Sequence, residues 1–210
     1  DSNENDINLY YYNLQVNKLS RLSPNEQSNF PSDKNFDKDR SYPLSISPDL
    51  EKVFFYLSPK NRLIEQKAGD TVEVWNTADK WIYPREQRSG RFYEKANLAV
   101  WHPASGVVVQ ISSAEFPSVM LTGNKTMAIV SNPKQYEPQF EIEAPRDYYI
   151  VNLVTGEKDI LVRKQSEIHS DLLPSPSGRF IAYYRDNNWW IYDAKIKSHK
   201  NITQKIKVPF

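Results

Sequence analysis

Residues 175–193 read SPSGRFIAYYRDNNWWIYD. Two aromatic-rich runs, 179–184 and 189–192, flank the polar triplet Asp186-Asn187-Asn188. Asn and Asp tolerate positive φ and bond their own backbone, so the triplet predicts a tight hairpin turn. Both runs are rich in β-branched and aromatic residues, which favour strands. In 179–184 large side chains fall on both faces, as expected of a strand inside a stack of sheets. Asp193 ends the second strand, and a third begins near Lys200.

The same grammar recurs at 9–22, 98–111 and 148–161. Each copy is a branched or aromatic strand, a polar residue (Asn13, His102, Asn152, and Asp193 in the opening stretch), a short turn and another strand. The strand ahead of the pair recurs too, opened by Ser47-Pro48-Asp49, by Ser175-Pro176-Ser177 and by a degenerate Thr122-Gly123-Asn124. Repeats of this kind point to a β-propeller, in which blades of four antiparallel strands stack face to face. The predicted fold class is all-β, a partial propeller of about three four-stranded blades at 41–112, 116–164 and 168–205, with an extra outer hairpin at 7–23. The whole of 1–210 reads as part of one propeller domain. The first blade is long enough to hold an insertion between Ser58 and Asn97, with a strand-like run at Thr71–Trp75. Closed propellers usually have about 4–8 blades. The chain therefore reads as a piece of a larger ring, whose open blade edges would also let copies associate as a homo-oligomer. The acidic start, Asp1 to Asp6, looks like a cut end.

Bulk properties narrow the field. Among 210 residues, Lys and Arg nearly balance Asp and Glu, leaving a net charge of +1. No basic excess exists to attract phosphate backbones, so no nucleic-acid partner is expected. No apolar run is long enough for a membrane-spanning helix. With no cysteine, disulfides, thiolate metal sites and cysteine nucleophiles are excluded. Two sequons, Asn124-Lys125-Thr126 and Asn201-Ile202-Thr203, carry little weight.

The pattern SPSGRFIAY, then NWWIYD, then NIT resembles the "SPDGKxIAY…LWxxD…xLT" repeat of TolB-like and dipeptidyl-peptidase-like propellers. The segment VEVWNTADKW at 72–81, followed by Glu86-Gln87 and LAVW at 98–101, is similar to a segment in the propellers of prolyl-oligopeptidase-type (S9) serine peptidases. In that family the propeller sits over an α/β-hydrolase domain and filters access to a Ser-Asp-His triad. The resemblance implies a non-catalytic propeller segment that gates or positions peptide substrates for a C-terminal hydrolase domain of the same parent chain. It implies a periplasmic or secreted parent. It transfers no catalytic residue, because no position here matches the triad. The alternatives are a TolB-like protein-binding scaffold without peptidase activity and, third, a propeller glycosidase or lyase needing carboxylates on inner strands.

Direct search for chemistry agrees with a non-enzymatic chain. Gly-x-Ser-x-Gly, the sharp turn that exposes a nucleophilic serine, is absent. The histidines are His102, His169 and His199; the repeat puts His102 and His199 in hairpin turns and His169 in a loop or strand start. The run from Asp33 to Asp39 alternates oxygen ligands like an EF-hand, but Lys38 and Leu44 stand where that loop needs Gly and Glu, so a solvated loop is expected and no metal. No glycine-rich phosphate loop appears and no cofactor is expected. Glu137, Glu141 and Glu143 read as a solvated, proline-bounded connection. The insertion is the candidate interaction surface: Trp81, Tyr83, Arg85, Glu86, Arg88, Arg91 and Phe92 combine the residue types that dominate binding hot spots. Trp75 reads instead as packing between blades.

Overall fold

The computed structural model describes residues 7–38, 43–60, 76–86, 88, 96–139, 144–166 and 172–206. The hairpin β1 (Leu9–Asn13) and β2 (Lys18–Leu22) forms a two-stranded sheet. The second sheet holds β3 (Lys34–Phe36), β4 (Ser45–Ile46), β5 (Val53–Pro59), β6 (Asn97–Trp101) and β7 (Val108–Gln110). The third comprises β8 (Ser118–Leu121), β9 (Met127–Ser131), β10 (Arg146–Asn152) and β11 (Lys158–Gln165). The fourth comprises β12 (Leu172–Pro174), β13 (Phe180–Arg185), β14 (Asn188–Asp193) and β15 (Ser198–Asn201). All pairings are antiparallel between sequence neighbours, apart from the split edge of the second sheet. The chain is a partial, unclosed β-propeller.

Alternation along each strand feeds two cores at once. Val53, Phe55 and Leu57 face the β1–β2 sheet, in a cluster with Leu22, Ala99 and Trp101. Phe54, between them, faces the third sheet, with Val100, Val130 and Val151. In the third sheet Ala128 and Val130 pack toward the second, while Ile129 and Ile150 meet Ile181, Tyr183 and Tyr192 of the fourth. A period of two places consecutive apolar residues on opposite faces, so a run such as Val53–Leu57 has no polar side.

The opening hairpin closes as its residues dictate. Asp186 and Asn187 both take positive φ (52° and 57°), and Arg185 pairs with Asn188 across the turn. Two left-handed residues make a turn whose twist matches that of the flanking strands. The described residues cover one face of this last sheet: Ile181, Tyr183 and Tyr192 are buried, whereas Phe180 is 37% and Leu173 48% exposed.

Ser47, Thr122 and Ser175 open the same six-residue turn. The N–H of the first residue donates to the carbonyl of the sixth at 3.0, 3.0 and 2.7 Å. The first residue's hydroxyl oxygen accepts the sixth residue's N–H at 3.0, 3.2 and 3.0 Å. Asp49, Asn124 and Ser177, at the third position, accept the N–H of the fifth. The fourth residue is left-handed in each: Leu50, Lys125 and Gly178 at φ 60°, 54° and 71°. Thr122 is thus a full member of the repeat, since only a hydroxyl is needed there. The turns after Asn13, His102, Asn152 and Asp193 also match, with a left-handed residue four positions on: Asn17, Gly106, Gly156 and Lys197.

Successive sheets touch through these turns. The Asn124 side chain donates to the Ser177 carbonyl, and Lys125 Nζ donates to the Ile46 carbonyl at 3.1 Å. Gly123 allows the approach: a Cβ there would lie 2.7 Å from both the Cα and the carbonyl oxygen of Pro176. Backbone cannot yield as a flexible side chain can. Gly123→Ala is expected to cost about 1–3 kcal/mol, the usual range for overpacking. A urea denaturation midpoint equal to that of the parent chain would show that the two turns do not meet as described.

Two expectations change. The 33–39 run is not simply a solvated loop: Lys34–Phe36 is strand β3, paired with Leu57–Pro59, so the second sheet starts ahead of residue 41. The reason is Phe36, 5% exposed, whose ring lies 5.3 Å from those of both Phe30 and Phe55. His199 sits in β15 rather than in a turn, its Nδ1 2.9 Å from the Tyr183 hydroxyl. The run Thr71–Trp75, His169, Asp39, Glu141 and Glu143 lie outside the described residues.

Candidate functional site

The candidate surface lies on the connection between β5 and β6. Asn76 starts it with a side-chain turn, its Oδ1 accepting the Ala78 N–H at 3.0 Å. Ile82 is extended, and Pro84 lies within the first turn of α1 (Tyr83–Arg85). Pro suits that place because the N–H it lacks would have no partner inside the helix. The Arg85 and Glu86 N–H groups close the turn on the Ile82 carbonyl at 2.9 and 3.0 Å.

Trp81 anchors this segment. It is 5% exposed, so its indole is interior. The Arg85 guanidinium carbon lies 4.6 Å and Lys134 Nζ 4.8 Å from its ring centroid, within cation–π range. Lys134 comes from the connection between β9 and β10, so the ring ties two neighbouring sheets. Lys134 Nζ also donates to both Glu86 carboxylate oxygens at 2.8 and 2.7 Å. Arg85 pairs with Glu137 at 2.8 Å. Two cations are thus met by two carboxylates, and the cluster is neutral. The Glu137 side chain is 3% exposed, which corrects the expectation of a solvated connection. A carboxylate that deep needs its counter-charge, and Arg85 supplies it.

Outside the anchor stands a ridge: Ile82 is 60% exposed, Arg88 is exposed and Tyr83 half-buried. A recess of about 250 Å³ opens beside it, lined by Asp79, Lys80, Trp81, Tyr83 and Glu86. Arg91 and Phe92 lie outside the described residues. The arrangement offers aromatic and charged contact area on a clamped support. Sequence reading missed Lys134 and Glu137 as partners of this segment. Their only signal was the turn-forming Asn132-Pro133 pair, whose Asn132 Oδ1 accepts the Lys134 N–H at 2.8 Å.

The two described histidines stand apart from it. His102 is half-buried and its Nε2–H donates to the Leu153 carbonyl at 2.8 Å, linking the second and third sheets. Partial burial lowers the pKa of His199, which lies against Tyr192 and Tyr183. Among the described residues no group of three His, Cys, Asp or Glu is placed to hold a metal ion. No helix among them is long and apolar enough to cross a membrane.

No family model and no curated protein matches the chain. Solved structures do. Dipeptidyl peptidase 4 of Porphyromonas gingivalis is similar at 15% identity and TM-score 0.40, over 78% of this chain and 19% of that one. TolB of Acinetobacter baumannii is similar at 13% identity and TM-score 0.37, over 91% and 36%. The β-propeller domain of the Trilobed protease of Pyrococcus furiosus is similar at 15% identity and TM-score 0.35, over 98% and 66%. The chain spans about a fifth of the length of the first and about a third of the second. At such identities and scores the likeness says nothing about activity.

Proposed function

We propose that the chain is a propeller segment of a larger S9-type serine peptidase. It admits and positions peptides for a hydrolase domain of the same parent polypeptide, in the periplasm or outside the cell. The observation that carries this reading is the turn repeated at Ser47, Thr122 and Ser175. It gives physical form to the Ser-Pro-x-Gly repeat through which the sequence resembles that family. The half-covered last sheet supports it, because Phe180, Leu173 and their neighbours make a face fit for another blade. On this reading the ridge at Ile82, Tyr83 and Arg88 meets the peptide or the hydrolase domain.

The test is to identify the native polypeptide with an antibody to this chain and to label it with a fluorophosphonate probe. A band much larger than 24.5 kDa that takes up the probe is expected. A large band that stays unlabelled would favour the protein-binding scaffold. A native band near 24.5 kDa would overturn the segment reading.

A further inference from the structure

The outer edge of the last sheet has a composition of its own. Residues 194–206 hold four lysines and no acidic residue, whereas the whole chain carries a net charge of only +1. Interleaved with the lysines stand Ile196, Ile202 and Ile206, at 65%, 47% and 51% exposure. They lie in the turns that bracket β15, a strand of 4 residues, so about 13 Å separates the two turns. Among the described residues β15 pairs only with β14, which leaves its other edge bare.

Both turns are fixed supports. In the first, the Ala194 N–H donates to the Arg179 carbonyl and the Lys195 N–H to Asp193 Oδ1, each at 2.9 Å. In the second, the Ile202 N–H donates to the Trp189 carbonyl at 2.9 Å and the Ile206 N–H to the Thr203 carbonyl at 2.8 Å. Lys197 is committed to Asp159, at 2.5 Å. Lys195, Lys200 and Lys205 are exposed and have no ion-pair partner among the described residues. Turn shape does not require this chemistry. The equivalent turns at 103–107 and 153–157 contain no lysine, and the second ends in Glu157.

We propose that this edge docks on an anionic lipid surface, with the three isoleucines entering the boundary between headgroups and acyl chains and Lys195, Lys200 and Lys205 meeting lipid phosphates. Exposed aliphatic side chains set among lysines suit an interface that is apolar beneath and negative above. A soluble polyanion has no use for the isoleucines. Phosphodiester recognition favours the planar Arg fork and single strands favour aromatic stacking, yet 194–206 contains no Arg, Phe, Tyr or Trp. The surface is an edge of the sheet and not the face left open to another blade, so it stands or falls separately from the peptidase reading.

The experiment is co-sedimentation of the full chain with vesicles of phosphatidylcholine containing a quarter phosphatidylglycerol, and with phosphatidylcholine alone. Binding to the first and not the second is expected, weakening as salt rises. Joint replacement of Lys195, Lys200 and Lys205 by Gln should weaken it about a hundredfold, since each lysine near an anionic surface contributes a factor of about five. The same change at Lys18, Lys60 and Lys158, exposed elsewhere, should weaken it far less. Because the chain has no cysteine, Ile202→Cys can carry an environment-sensitive dye, whose emission should shift to the blue on the anionic vesicles. The same dye at Leu14→Cys, on the far hairpin, should not shift. If a variant fails to fold, the two lipid compositions on the unaltered chain decide. No binding to the anionic vesicles, equal loss from the two lysine triples, or a dye at position 202 that stays in water would each overturn the proposal. Capture by heparin without vesicle binding would identify a soluble polyanion as the partner and overturn it too.

Discussion

Asp147→Ala is expected to destabilise the chain by about 1–3 kcal/mol, the range for leaving a buried hydrogen-bonding group without its partner. Asp147 is 1% exposed at the start of β10. Its carboxylate accepts from the Tyr136 hydroxyl at 2.7 Å, Gln135 Nε2 at 2.9 Å, the Lys164 N–H at 2.9 Å and Arg163 at 3.2 Å. These donors come from the connection before β10 and from β11. Lys164 is left-handed, at φ 47°, which lets its N–H reach the carboxylate. Removing the acceptor takes away the buried centre on which these donors converge; Arg163 and Lys164 are exposed and can turn to water, so the loss falls on the inward-facing bonds. Chemical denaturation followed by tryptophan fluorescence measures the loss. A change under about 1 kcal/mol, the scale of an exposed pair, would show that water reaches the site.

The same carboxylate sets part of the pH dependence. Burial raises its pKa, but the Lys164 N–H, Tyr136, Gln135 and the Arg163 charge together outweigh burial and leave it lowered. A carboxyl whose folded pKa lies below its unfolded one stabilises the fold at pH above the unfolded value, near 4. That contribution fades as pH falls through the lowered folded value. Asp147→Ala should therefore lose its disadvantage in acid, with the two denaturation midpoints converging below about pH 4.

Most of the architecture was legible in local pattern. Arg179–Tyr184 and Trp189–Tyr192 showed apolar residues on both faces, and a strand between two sheets requires them. The polar residues Asn13, His102, Asn152 and Asp193 marked the outer hairpins because each must open a turn that ends left-handed four residues on. What local pattern could not carry was contact between distant segments. Phe36 sits among Lys, Asp and Asn, so nothing nearby says that its ring completes a cluster with Phe30 and Phe55. Glu137 looked like one more acid beside a proline, and its burial depends on Arg85, more than fifty residues away in the chain. Trp81 illustrates the same limit. Its neighbours Tyr83, Arg85 and Arg88 suggested a surface, yet the cation of Lys134, from another sheet's connection, closes over its ring.

Phe55→Ala is expected to cost about 3–5 kcal/mol, whereas Phe180→Ala should cost far less in this chain, and the contrast follows from which faces are covered. Phe55 is 1% exposed, and its ring lies 5.3 Å from that of Phe36 and 6.5 Å from that of Phe30. Truncation empties the middle of that cluster, where the β5 backbone is held by pairing on both sides and cannot collapse inward. Phe180 is 37% exposed on the open face of the last sheet, where the Arg179 guanidinium carbon lies 4.8 Å from its ring centroid. An alanine there leaves no closed void, and only part of the ring's transfer free energy is lost. Paired denaturation curves decide the matter, and equal losses would mean that the open face is already covered, by another copy of the chain. In a parent polypeptide that supplies a further blade, Phe180 becomes interior in the way Phe55 is. Phe180→Ala should then cost several times more in that longer protein than in this chain, which ties the stability of a single ring to the proposed continuation of the propeller.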